Sequence, residues 1–322
     1  MKRLIALRLA LLVPMLIGIS FVSFALAALS PTDPAEASIR AAAMVPTPEL
    51  IAGVRAELGL DQPLAVQYAH WLAGVLTGNL GSSFVTHEPV ADLLCESLPA
   101  TLVLAAAALA LIAALSLAAG VACARAEHSA LDVFIRGFIF ITSSMPNFWA
   151  GLLLIWLFSV QLDWLPTGGM RSPNSVILPA AALSLGYIGT YMRLIRAEMI
   201  RTAHADWVLF ARGRGLPQWR ITLRMIRSSL RSSATALGMS IPKLVAGAFV
   251  IESVFAWPGI GRLCLEAIYN RDIPIIQAYV LLMAAMFIVF NLASDVVILK
   301  MDPRERLHRQ REALPHETGA AR

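Results

Sequence analysis

Four stretches of this chain, 9–29, 98–124, 137–162 and 172–192, each run for at least 21 residues without one charged side chain. A helix of about 20 apolar residues crosses the roughly 30 Å of hydrocarbon in a bilayer. Lipid offers no partner to backbone N–H and C=O groups, so such stretches have to be helical or part of a closed barrel. Two further windows qualify: 232–251 contains only Lys243, and 273–294 is free of charge until Asp295. Charged residues make up 15% of the chain and apolar ones 58%, too little polar surface to coat a soluble domain of 322 residues. The fold class these windows predict is an all-α polytopic membrane protein with six transmembrane helices.

The first window admits two readings. Lys2, Arg3 and Arg8 before an apolar run that ends Ala25-Leu26-Ala27 resemble a signal peptide, but 21 residues is long for its apolar region. We therefore read it as an uncleaved anchor. Six spans place alternate loops on opposite sides. One set of loops holds 20 basic residues, namely Lys2, Arg3, Arg8, Arg125, Arg136, nine arginines from Arg193 to Arg231 and six in the tail from Lys300 onward. The other holds five: Arg40, Arg55, Arg171, Arg262 and Arg271. The positive-inside rule makes the richer set cytoplasmic, with both termini inside. The resulting organisation is a cytoplasmic N-terminus (1–8), helix 1 (9–29), an external helical loop (30–97), a transmembrane core (98–300) that includes a cytoplasmic loop at 197–231, and a cytoplasmic tail (301–322).

Both large loops carry helix punctuation. In the external one, Thr47 is placed to cap, Pro48 suits a first turn, Leu50, Ile51, Val54 and Leu58 share a face, and Gly59 stops the helix. A second helix is expected over 64–76, and a third from Pro89 into the second span. Such a cap could dock a soluble partner or merely brace the spans. In the cytoplasmic loop, Arg220, Arg224, Arg227 and Arg231 recur on one helical face, as a surface that meets lipid headgroups also would. Cys95, Cys123 and Cys264 lack any metal or redox spacing and read as packing residues, with a Cys95–Cys264 disulfide as the alternative. The six histidines form no ligand-spaced cluster, which leaves no metal site to name in the chain.

The run Asp206-Trp-Val-Leu-Phe-Ala-Arg-Gly-Arg-Gly-Leu216 resembles the EAA loop of ABC importer permeases of the dipeptide, oligopeptide and nickel group. Leu209-Phe210-Ala211 keeps only the last Ala of a full Glu-Ala-Ala, and Arg214 stands where Lys is usual. Other segments match the family in order: Leu58–Leu64 with Gln67-Tyr68, Gly78–Gly81, Ser83-Phe84, Leu98-Pro-Ala-Thr-Leu102, Ser144-Met-Pro-Asn-Phe-Trp149, Leu165-Pro166, Phe255-Ala-Trp-Pro-Gly-Ile-Gly-Arg262, Asn270-Arg-Asp-Ile-Pro274 and Asp302-Pro-Arg304. Within the group, Pro46–Glu49, Ser144–Trp149 and Phe255–Arg262 are most similar to permeases for nickel or metallophores.

The resemblance implies a type I importer permease with MetI-like architecture, half of a pore for nickel, a metal chelate or short peptides. Its partners would be a second homologous permease, two cytoplasmic ATPase subunits and an external solute-binding protein, in a bacterial inner membrane and with no nucleic acid. Asp206, Ala211, Arg212, Gly215 and Leu216 would form the coupling helix against the ATPase. No GxxxxGK[ST] loop occurs, so no cofactor is expected to bind directly and ATP would act through the partner ATPases. No catalytic or metal-binding residue is expected. Glu252 and Asp295 are path or gate candidates because intramembrane acids are costly. For Glu252 a structural hydrogen bond is the alternative; for Asp295, snorkelling or pairing with Lys243. Pro146 and Asn147 are candidates for an adjustable bend. A secondary transporter driven by an ion gradient is the rival reading, and it calls for inverted repeats and midplane acids. Neither is found in the sequence. A membrane-embedded hydrolase is disfavoured because no histidine falls within a span.

Overall fold

The computed structural model describes residues 2–29, 33–41 and 44–301, with side chains outside the description at 2–13, 41, 231–232, 234–235 and 295–301. The described residues are helical throughout, apart from loops and one isolated bridge between Ser82 and Pro89. In order they form α1 (Lys2–Ala28), α2 (Pro34–Ala41), α3 (Pro48–Glu57), α4 (Leu64–Leu76), α5 (Val90–Arg125), α6 (Ala130–Ser144) and α7 (Asn147–Leu154). A π-helical turn (Ile155–Gln161) and a 3-10 turn (Pro173–Val176) precede α8 (Ile177–Ala203). The remainder is α9 (Asp206–Gly213), α10 (Gln218–Gly238), α11 (Ile241–Val254), α12 (Ile260–Asn270) and α13 (Ile273–Met301).

Among the described residues three helices are long and apolar enough to cross a membrane: Val90–Arg125, Pro173–Ala203 and Ile273–Ser294. A fourth arises if Ala130–Ser144 and Asn147–Gln161 form one span, but that pair is bent by 106°. Proline explains the departure from a straight third window. Met145 before Pro146 takes an extended conformation (φ −80°, ψ 140°), and the proline ring excludes α geometry from the preceding residue. The fifth window is split as well, since α10 ends at Gly238 and α11 begins at Ile241. Pro242 has no N–H to offer the Gly238 carbonyl one turn earlier, and the Ser294 hydroxyl donates to that oxygen instead (2.7 Å). In the first window the apolar Pro14–Ala28 forms the later part of α1.

The described residues divide into two compact units, one drawn from 2–107, 148–183 and 244–288, the other from 108–147, 184–243 and 289–301. In the first, Val90, Leu94, Ile260, Ala267, Ile275 and Ala278 form a core. There α1 meets α4 through Phe21, Phe24, Tyr68 and Trp71, and the Tyr68 hydroxyl bonds Ser20 Oγ at 2.8 Å. The capping signals of the loop correspond to α3 and α4: Thr47 Oγ1 accepts from Leu50 N, and Gly59 has φ +67°. In the second unit Ile195, Met199, Val208, Ala211, Ile221 and Met225 form the core. Phe134, Phe138 and Phe140 of α6 are 58–70% exposed, a side-chain surface that suits lipid rather than water. Cys95 is exposed, Cys123 and Cys264 are buried, and all three are free thiols.

Candidate coupling site

The element over the 206–216 motif is α9, a helix of two turns whose faces differ. Val208 and Ala211 are buried against Met199 of α8 and Ile221 and Met225 of α10. Leu209 and Phe210 point outward, 75% and 67% exposed, with Trp207 beside them and Arg214 over the Phe210 ring at 5.7 Å. Asp206 stands in the first turn, where a carboxylate favourably meets the positive end of the helix.

The end of α9 explains the glycine of the motif. Leu216 N donates to Ala211 O (3.1 Å) and Gly215 N to Arg212 O (2.9 Å). These are the two bonds of a Schellman cap, which needs a left-handed residue at Gly215, here with φ +72°. Leu216 then folds back onto the cluster that holds Ala211. Ala211, Gly215 and Leu216 thus shape and seat α9, while Arg212 and Arg214 remain exposed. Pro217 follows, and α10 presents Arg220, Arg224 and Arg227 to the outside with Ile221, Met225 and Ser229 buried. The Arg231 side chain lies outside the described residues.

Beside this core Asp132 is fully buried and bidentate to Arg196, through Nε and Nη2 at 3.0 Å each. Arg136 Nε approaches it at 3.2 Å. The hydrogen bonds and charge of Arg196 hold the Asp132 carboxyl below the usual carboxylate range, against the opposing effect of burial. Ser129 caps α6 through Asp132 N (3.3 Å), so Asp132 leaves the helix start already oriented toward α8.

Glu252 occupies a second constellation. It is fully buried, and its carboxylate accepts from Thr101 Oγ1 (2.6 Å), Gly261 N (2.8 Å) and Arg262 N (3.2 Å). Thr101 in turn accepts from Ile260 N (2.9 Å), and Trp257 Nε1 donates to Ala100 O (2.8 Å). The 98–102 and 255–262 motifs are therefore joined by one carboxylate. A Cβ at Gly259 would lie 2.3 Å from that carboxylate, which accounts for a glycine there. Similarly, Asp272 binds Ser83 Oγ (2.5 Å) and Phe84 N (3.2 Å), joining the 270–274 and 83–84 motifs.

Pro146 is exposed at the break between α6 and α7, and Asn147 opens α7. Asn147 Oδ1 would lie 3.1 Å from a Cβ at Gly186, a close approach of α8 that a larger residue would obstruct. Lys243 is exposed in α11. The side chain of Asp295 and the Asp302-Pro-Arg304 motif lie outside the described residues.

A family model for the inner membrane component of binding-protein-dependent transport systems matches residues 116–307. The chain belongs to that family. The permease also matches the N-terminal model of such membrane components over residues 1–105. It is 36% identical over 300 residues to the metal-staphylopine import system permease CntB of Staphylococcus aureus, covering 93% of this chain and 96% of the relative. It is 35% identical over 315 residues to a putative peptide transport system permease of Brucella abortus, covering 95% and 99%. Among solved structures, the MetNI methionine ABC transporter in inward-facing conformations shares the fold, with a TM-score of 0.56 at 15% identity over 65% of this chain and 96% of that one. The permease is thus a membrane-embedded transport subunit of an ABC importer, whose ATPase is a separate partner.

Two features of the permease were not singled out in the sequence. Asp132 was hidden among the basic residues around it, and only its position four before Arg136 hinted at pairing. Leu209 and Phe210, unlike Ala211, match no position of the family motif. Their signal was the helical phase, because Val208 and Ala211 at i and i+3 leave positions 209 and 210 on the outer side.

Proposed function

We propose that the chain forms half of the translocation path of an ATP-driven importer of a metal chelate or short peptide, with α9 as the element that receives the ATPase stroke. The reading includes six spans, both termini in the cytoplasm, a second homologous permease, two ATPase subunits that supply the ATP and an external solute-binding protein. The observation that carries it is the two-sided build of α9: Val208 and Ala211 are seated in the core, while Leu209 and Phe210 are offered outward among arginines. A helix so built transmits a push, because its inner face cannot move without α8 and α10. Rigid-body displacement of such packed helices would switch the path between inward- and outward-open states.

Pro146 and Asn147 lie where α6 and α7 bend, which suits a hinge in that switch. Asp206 and Arg212 supply charges at the α9 surface, and Glu252 is proposed to hold the outer end of the path in register through its three hydrogen bonds. Asp295 is retained as a path candidate. The cargo classes come from the two relatives, one named for metal-staphylopine and one for peptides. The test is reconstitution of the permease with its partners in proteoliposomes. ATP-dependent uptake that disappears when the ATPase is omitted is expected, and uptake that persists without it would sink the importer reading. Competition between metal-chelate and peptide ligands on the partner binding protein then decides the cargo.

A further inference from the structure

The segment after the π-helical turn and the Phe255–Arg262 loop enclose an open cavity of about 980 Å³ lined by Asp163, Trp164, Gly168, Arg171, Ala256 and Arg262 among others. Three observations distinguish this surface. Its walls are stitched together: Gly169 N donates to Phe255 O (2.8 Å), and a Cβ at Gly168 would stand 2.2 Å from that same oxygen. Arg262 Nη1 donates to Ala256 O (2.9 Å), and Ser172 and Ser175 bond reciprocally at the start of the 3-10 turn. Backbone strain is concentrated here too, with φ +52° at Asp163 and +48° at Ala256, a cost that persists only where surrounding structure enforces it.

Second, Trp164 is 68% exposed although it is fixed in place. Its backbone N–H donates to Phe158 O (2.9 Å), and its ring rests against Phe158 at 6.1 Å between centroids. Third, Arg171 is exposed and makes no ion pair among the described residues. By contrast Arg40 is paired with Glu36, Arg55 with Asp33, and Arg262 with Glu266. The charges facing the cavity are Arg171, Arg262 and Asp163, and Glu266 already offsets Arg262. An incoming carboxylate is therefore drawn to Arg171 and kept from the Asp163 side. A rigid tryptophan beside a free guanidinium is the composition of a protein-binding hot spot, where aromatic area and bidentate carboxylate recognition act together.

We propose that this cavity is the docking surface for the soluble solute-binding protein, with Trp164 packing on an apolar side chain of that partner and Arg171 pairing with a carboxylate beside it. The inference rests on the importer reading and its orientation, which puts the loops at 163–172 and 255–262 on the external side. The partner is favoured over a small ligand because the cavity is open and the Trp164 side chain on its wall is largely exposed.

The experiment uses the complete transporter in lipid nanodiscs and its solute-binding protein, with binding followed by interferometry and ATPase activity recorded in parallel. Trp164→Ala and Arg171→Glu are each expected to weaken docking at least tenfold. Basal ATPase activity without the binding protein should be unchanged, and stimulation should recover at saturating binding protein. Wild-type docking should weaken more steeply with salt than that of Arg171→Glu. An Asp→Lys or Glu→Lys change on the binding protein that restores docking to Arg171→Glu would confirm the pairing. A benzophenone side chain at position 164 should cross-link to the binding protein; capture of the second permease or of lipid instead overturns the proposal. Wild-type affinity in both variants overturns the docking site while leaving the importer reading intact. A wild-type transporter that no binding protein docks to or stimulates overturns both.

Discussion

Replacing Leu209 and Phe210 together by alanine strips the outward face of α9 without touching the residues that seat it. The two side chains are 75% and 67% exposed, so their removal costs the isolated permease little, as exposed substitutions generally do. Burial of a whole Leu or Phe side chain is worth about 1.5–3 kcal/mol, so the exposed two-thirds or more of each has about 1–2 kcal/mol left to gain in a partner groove. The pair then contributes about 3 kcal/mol, or about a hundredfold in the dissociation constant of the permease–ATPase complex. The assay is titration of purified ATPase onto nanodisc-held permease, with thermal unfolding of the permease alone as the control for folding. Binding within threefold of wild type would refute the argument that α9 docks through this face. A binding loss accompanied by a large fall in thermal stability would refute the claim that the face is free in the single subunit.

Four further outcomes follow from the geometry. Asp132→Asn should lower the thermal midpoint at neutral pH, because Arg196 and Arg136 lose a buried charged partner. The folded Asp132 carboxyl lies below its unfolded value of about 4, so its contribution is present above that pH and is lost as pH falls through the folded value; wild type and variant midpoints should converge in acid. Gly215→Ala forces a Cβ into a left-handed position that is otherwise open, and should destabilise the α9 cap by about 1 kcal/mol, visible as faster hydrogen exchange at Leu216. Glu252→Ala leaves the buried Gly261 N and the partly buried Arg262 N without their acceptor and should cost about 3 kcal/mol in unfolding, whereas a path-lining role alone would slow transport at unchanged stability. Cys95 is exposed and should react with an impermeant maleimide added outside spheroplasts, whereas burial pushes the Cys264 thiol up to about 12 and should leave it unlabelled until denaturation; labelling of Cys95 only from the inside would overturn the orientation.

Local signals carried much of the fold. Helix starts and stops at Thr47, Pro48 and Gly59 were legible because capping and left-handed glycine are properties of a few consecutive residues. The apolar windows likewise announced helices, since lipid tolerates little else. What they could not announce was continuity. Whether Pro146 merely kinks a helix or ends it is not written in the apolar window, and whether the chain can break after Gly238 depends on Ser294 arriving to satisfy its carbonyl.

The candidate sites show the same division. That 206–216 forms a short helix ending at Gly215 could be read from the motif, but which of its residues face outward was decided by the packing of α8 and α10 on Val208 and Ala211. Glu252 was conspicuous in the sequence as an acid at the edge of an apolar window. Only the tertiary structure brought it within hydrogen-bond reach of Thr101, 151 positions away, and of the Gly261 and Arg262 amides. Asp132 and Arg196 were 64 positions apart and individually unremarked until the fold paired them. Sequence determines by itself what a few neighbouring residues can do with their own backbone and solvent. The fate of a buried charge or an exposed apolar side chain is set by partners distant in the chain, and those exist only once the helices have packed.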